Sequence, residues 1–385
     1  MEGGGGGNWT VFGGNSMVEV NDDTACFGFL EMKEGRYGHG GEVPAVVIGF
    51  TGIHFSWYSD PSPSCVCTTT PYNPVTGPCT RDVATTFTLS AYGTNGANPL
   101  FPATFMAAGS CAPDHLFASL PADSWGVAGM SRLPQSLPAQ VASTFKLPKE
   151  FALCFPRTGG TGAAIFGGGP FQLMASPGSV DLAPALRQNN QIPLLKNRLN
   201  GGYYFRVTGI SVNTEPVKTL PAGALDLDAK TGTGGVMFST ATPYTTLRSD
   251  IYRALFHAFD AATGGIPRAP AVKPFEMCYQ ASALGVTRLG YAVANIDLHL
   301  DNGWTWLIPG GGSLVQVDDN TVCFAFVEMT ATPVVPGSPA VLFGGFQLED
   351  HLLLFDLDKE TFSFSGPLAG MRNGCHNFNF TMGSA

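Results

Sequence analysis

The sequence predicts an all-β, bilobed architecture, and three observations carry that expectation. The 385-residue chain breaks into many short apolar or alternating runs. Its 49 glycines and 29 prolines supply the turns between them. Helical periodicity is confined to a few places, so the strand–helix alternation that builds a parallel sheet is missing. The length suffices for a large core or two lobes. A hydrophobic fraction of 44% against 13% charged residues is a globular composition.

In chain order, strands are expected at TTFTLSAY (85–92), AAIFGG (163–168), YYFRVTGISVN (203–213), GVMFST (235–240) and NIDLHLD (295–301). Further strands are expected at GGSLVQVDD (311–319), TVCFAFVEM (321–329), AVLFGGF (340–346) and HLLLFDLDKETFSFS (351–365). LPAQVASTF (137–145) and SDIYRALFHAFDAAT (249–263) have helical spacing. Ser249 is the expected cap of the second helix, because its hydroxyl can accept from a free first-turn amide.

The net charge of −9 argues against a nucleic-acid partner. No run of about 18 apolar residues exists, so no membrane span is expected. Nine cysteines suggest an oxidising compartment. Two glycosylation acceptors, Asn8 and Asn379, point the same way. The opening MEGGGGGNWT has neither a basic start nor an apolar stretch, so no signal peptide is visible in this chain.

One segment occurs twice. Residues 16–32 read SMVEVNDDTACFGFLEM and residues 313–329 read SLVQVDDNTVCFAFVEM, with ten of 17 positions identical and no gap. Downstream, PAVVIG (44–49) answers PAVLFG (339–344). A separation near 297 residues is not a solenoid period. The first copy is read as a gene-fusion tail of a neighbouring homologue, in preference to an extra hairpin unit. Cys26 duplicates Cys323, which makes it the natural odd thiol among nine.

The runs DSWGVAGMSRLPQSLPAQVA (123–142), FALCFP (151–156), AIFGGGPF (164–171), PFEMCY (274–279) and AVLFGGFQLEDHLLLFDLDKETFSFS (340–365) occur in an ordered set. That set resembles plant xylanase-inhibitor proteins built on the pepsin-like aspartic-protease fold. CTTTPYNPVTGPC (67–79), CAPDHLFASLP (111–121) and GCHNFNF (374–380) extend the resemblance, which covers roughly 64–385. It implies three parts: a repeated segment at 1–50, a partial N-terminal lobe at 51–189 and a C-terminal lobe at 190–385. It also implies disulfides Cys278–Cys323 and Cys154–Cys375, with Cys111 paired to Cys65, Cys67 or Cys79. No cofactor is implied.

In active proteases of this fold each lobe contributes one Asp. Two carboxyls held close cannot both ionise easily, so one keeps a proton while the other acts as base. Here the second-lobe loop falls on Ser239, Thr240, Ala241 and Thr242, with Ser239 where the Asp belongs. A neutral hydroxyl cannot replace a carboxylate base. The first-lobe loop is not found: Tyr72 matches the flap tyrosine, and the strands before it are expected to be missing. A serine-hydrolase role for Ser239 would need an oriented Gly-x-Ser-x-Gly elbow, which the chain lacks. Cys65, Cys67 and Cys79 have no second cluster at zinc-ligand spacing, so no metal is expected. FGGGPF (166–171) lacks the Lys-Ser/Thr of a phosphate loop.

In the inhibitors that this chain resembles, a His in the loop before the final cysteine enters the xylanase cleft. Counted back from Cys375, that position is Met371, and Arg372 follows it. An Arg suits a carboxylate partner because its planar fork matches one. The expectation is a secreted, monomeric, non-catalytic protein of the plant cell wall that binds a glycoside hydrolase in defence. The alternatives are an aspartic endopeptidase and a truncated, non-functional gene product.

Overall fold

The computed structural model describes residues 24–28, 45–50, 68–69, 82–94, 100–113, 128–134, 136–157, 162–174, 178–189, 191–197, 199, 201–240, 242–329 and 337–378. Within them the chain is built mainly of strands, arranged in one 15-stranded sheet, two four-stranded sheets and two hairpins. No helix among the described residues is long and apolar enough to cross a membrane.

The large sheet runs through both halves of the sequence. Phe151 and Phe355 face each other where strand Glu150–Cys154 pairs antiparallel with Leu352–Asp356. Leu352–Asp356 then pairs with Thr361–Phe364, which pairs with Ile192–Leu195. The end of the chain thus returns to the sheet at its centre, so a boundary at 189/190 does not divide the sheet. The core lies along this seam. Phe151 stacks on Phe355 at 4.9 Å, Phe205 on Phe238 at 4.5 Å and Trp306 on Phe364 at 4.3 Å. Offset and edge-on aromatic pairs of this kind add to the burial term.

Two strands of the repeated segment lie in the same sheet. Thr24–Gly28 pairs antiparallel with Phe101–Pro113, and Ala45–Phe50 lies between Asp82–Thr94 and Gly162–Phe166. Both copies of the repeat therefore supply strands.

The helix Leu137–Phe145 matches its sequence pattern, and Ser136 caps it by accepting from the Ala139 amide. The second helix, Ser249–Ala262, differs in its cap. Arg248 stands at the N-cap, and the Ser249 hydroxyl instead donates to Glu328. The helix begins one residue earlier than the Ser signal implies, which turns that hydroxyl toward the neighbouring strand. A short helix, Ala183–Asn189, follows a buried Leu182 without an apolar stripe long enough to announce it. YYFRVTGISVN divides at Arg206, with Tyr204–Phe205 in the large sheet and Val207–Val212 in a four-stranded one.

Candidate functional site

The loop after strand Val236–Phe238 is positioned by two neighbours. The strand pairs antiparallel with Tyr204–Phe205 and parallel with Val341–Phe343. Three consecutive apolar residues there are buried on both faces, as a central strand requires. The Ser239 amide donates to the Phe343 carbonyl at 2.9 Å, so Ser239 leaves the strand at a fixed point. Ser239 is 2% exposed and Thr240 is buried with it. The Thr242 hydroxyl donates to the Ser239 carbonyl at 3.3 Å. Ala241 lies outside the described residues.

A hydrogen-bonded frame supports this loop. The Gly345 amide donates to the Thr242 carbonyl at 2.9 Å, and Phe346 donates to the Pro243 carbonyl at 2.7 Å. A Cβ on Gly344 would lie 2.3 Å from the Tyr244 carbonyl carbon, so only glycine permits the close approach. Buried Gln347 accepts from the Thr245 amide and hydroxyl at 2.9 and 2.7 Å. Its amide group donates to the Gly312 and Ala325 carbonyls, both at 2.9 Å. The frame of a rigid loop is present, while residues 236–242 contain no carboxylate. Among the described residues no hydrogen bond joins Ser239 to a histidine: His299 pairs with Ser211, and His351 donates to the Glu349 carbonyl. A nucleophile without a base has nothing to activate it.

Three groups close by in sequence to this frame have shifted protonation equilibria, each chiefly through burial. Burial pushes the Glu349 carboxyl up to about 8, against the nearby Arg157 guanidinium at 3.8 Å. Burial also holds His351 down to about 4, so its ring stays neutral against the face of Trp306. Burial and the Glu349 charge raise Tyr244.

A second locus gathers around the chain end. Leu368–Met371 forms a 3₁₀ turn, and Arg372 closes it at φ 57° with its amide donating to the Ala369 carbonyl. The base of this loop is tied down. Cys375 is joined to Cys154, its amide donates to Asp350, and the Asn373 side chain donates to the Met174 carbonyl. The tip is free: Met371 is 52% exposed and Arg372 is exposed.

The hairpin of strands Val286–Thr287 and Gly290–Tyr291 stands beside that tip. Arg288 reaches from the hairpin turn to the Gly370 carbonyl at 3.4 Å. A cavity of about 480 Å³ lies between them, with Arg288, Leu289, Tyr291, Asn295 and Gly310 in its wall. Gly310 opens the helical turn Gly310–Ser313, which stands in place of the strand expected from GGSLV. A Cβ on Gly310 would lie 1.9 Å from the Tyr291 carbonyl oxygen, so this glycine lets turn and hairpin touch. Segments 281–295, 309–313 and 366–378 contain Arg288 and Arg372 and no Asp or Glu, in a chain with 29 acids.

The loop that carries Met371 and Arg372 thus meets, through Gly370, a hairpin that sequence reasoning did not single out. The turn signal Thr-Arg-Leu-Gly at 287–290 was available, but nothing in the sequence linked it to the chain end. The structure also contains the disulfide Cys278–Cys323, joining two residues opposite one another in their ladder. Tyr72, Cys65, Cys67, Cys79, Asn8 and Asn379 lie outside the described residues. Among the described residues no group of His, Cys, Asp and Glu is arranged to hold a metal ion.

The backbone is that of the pepsin-like aspartic proteases. The crystal structure of edgp superposes with a TM-score of 0.74 at 32% identity, covering 84% of this chain and 80% of that one. The xylanase inhibitor C-terminal family matches residues 1–55 and 202–366, and the xylanase inhibitor N-terminal family matches residues 51–168. The chain belongs to this xylanase-inhibitor family. It is 45% identical over 323 residues to Chitinase CLP of Oryza sativa subsp. japonica, spanning 83% of this chain and 73% of that protein. It is 35% identical over 316 residues to gamma conglutin 1 of Prunus dulcis, spanning 80% and 68%.

Proposed function

We propose that this protein is a non-catalytic, monomeric, secreted pepsin-like protein. In this reading it binds and inhibits a cell-wall-degrading glycoside hydrolase, with microbial endo-xylanase as the leading target class. The observation that carries the reading is the 480 Å³ cavity, whose lining holds Arg288 and no acid, beside the exposed loop that bears Arg372. Glycosidases place two carboxyl groups at the scissile bond. Arg288 and Arg372 supply the opposite charge, and exposed Met371 and Val286 supply apolar contact. In a chain of net charge −9, such a face favours an acidic cleft over the rest of the surface.

Chemistry on this chain finds little support. The walls of the cavity carry no carboxylate, so the acid pair of a glycosidase has no place there. The loop at Ser239 carries no carboxylate, so the acid pair of an aspartic endopeptidase lacks its second-lobe member. The test is direct. The purified chain is titrated against a panel of endo-xylanases, with acid-pH cleavage of a denatured protein as the parallel assay. Saturable inhibition of at least one xylanase without proteolysis is expected. A panel left uninhibited at micromolar concentrations removes the target claim. Pepstatin-sensitive cleavage restores the endopeptidase.

A further inference from the structure

The antiparallel ladder between Thr24–Gly28 and Phe101–Pro113 sets Cys26 directly opposite Cys111. Directly opposed residues in such a ladder share one face of the sheet, with Cα atoms about 4.5–5.5 Å apart. That separation lies inside the span a disulfide bridges. A second observation comes from the repeat. Cys26 in TACFGF occupies the position of Cys323 in TVCFAF. Cys323 stands directly opposite Cys278 in its own antiparallel ladder and is bonded to it, at a Cα separation of 4.0 Å. The two copies thus present the same cysteine to a cysteine across the ladder.

We propose that Cys26 and Cys111 form a disulfide that staples the first copy of the repeat to the sheet of the first half of the chain. The bond forms by thiol–disulfide exchange with a small-molecule or protein disulfide. One cysteine thiolate attacks that disulfide, giving a mixed disulfide and releasing one thiol. The second cysteine thiolate displaces the other thiol. The oxidant gains two electrons and carries off both protons, and the two cysteines become one S–S bond. Cys26 is then not the odd thiol: the unpaired cysteine falls among Cys65, Cys67 and Cys79.

Trypsin separates the possibilities. Cys26 falls in peptide 1–33, Cys65, Cys67 and Cys79 in peptide 37–81, and Cys111 in peptide 82–132. The full chain, produced in an oxidising secretory host, is alkylated without reduction, digested and mapped by mass spectrometry. The expected result is peptide 1–33 linked to peptide 82–132, both released on reduction, with one alkylated cysteine in 37–81. Alkylated Cys26 in the folded protein, or peptide 82–132 linked to 37–81, overturns the proposal. The Cys26→Ser variant adds a second readout: Cys111 becomes alkylatable while Cys154–Cys375 and Cys278–Cys323 persist. A variant in which Cys111 stays blocked contradicts the pairing.

Discussion

Ser239 stands 2% exposed at the end of a strand whose three residues are all buried. Substituting Asp there returns one carboxyl but not a pair. Ser239→Asp is therefore expected to show no acid proteolysis. It is also expected to lose stability as pH rises through the carboxyl range, because a desolvated carboxylate is costly. Denaturant midpoints near pH 4 and 7, read beside a cleavage assay, check both parts; recovered proteolysis contradicts the account. A second residue-scale prediction concerns pH. His351 is held at about 4 against an ordinary 6.5, so the unfolded chain takes up a proton the fold refuses. Its contribution is present above 6.5 and is lost as pH falls toward about 4. Glu349 is raised to about 8 from 4.5, so the fold keeps a proton the unfolded chain releases. Its contribution is present below 4.5 and is lost as pH rises through about 8. In stability-against-pH curves, His351→Gln should flatten the acid limb and Glu349→Gln the alkaline limb; unchanged limbs refute the assignment. None of this was legible in sequence, because both shifts come from burial set by tertiary packing.

At the scale of elements, legibility followed local rules. Leu137–Phe145 declared itself through its apolar spacing, and folding adds a cap at Ser136 that the sequence reading did not name. The start of Ser249–Ala262 misled because Ser249 lies inside the first turn, where its hydroxyl donates to Glu328, and Arg248 takes the cap position. GGSLV read as a strand onset, yet Gly311 joins Gly310 in a helical turn whose close approach to the hairpin falls at Leu289 and Tyr291. That approach makes Gly310 a sensitive position. Gly310→Ala forces the hairpin off the turn, at about 1–3 kcal/mol by analogy with overpacking elsewhere. Chemical denaturation should register that loss, and inhibition of the target should weaken with it. A neutral variant would show that the hairpin–turn contact is not tight in solution.

Across the whole molecule, the sheet joins residues far apart in sequence. Leu352–Asp356 lies against Glu150–Cys154, and Cys154–Cys375 closes the same seam across 221 residues. The fold family was readable from ordered motifs such as FALCFP and AVLFGGFQLEDHLLLFDLDKETFSFS. The candidate site was half readable: Met371 and Arg372 follow from the final cysteine, while the contact of Arg288 with Gly370 of the same loop depends on chain topology. Removing the seam bridge with Cys154→Ser and Cys375→Ser is expected to cost about 2–5 kcal/mol, the usual range for a lost native disulfide. It should also loosen the loop that carries Arg372. Thermal unfolding reads the first effect, and an unchanged transition contradicts it. In the proposed reading the arginine-bearing region around Arg288 and Arg372 engages a carboxylate-lined cleft. This engagement is tested most directly by residual endo-xylanase activity against the wild-type chain and the Arg288→Ala/Arg372→Ala variant, titrated side by side at low and high salt. Saturable inhibition by the wild type that weakens with salt is expected, with at least a tenfold loss in the variant, equivalent to about 1.4 kcal/mol. Equal potency of the two proteins, or no inhibition by either, contradicts it.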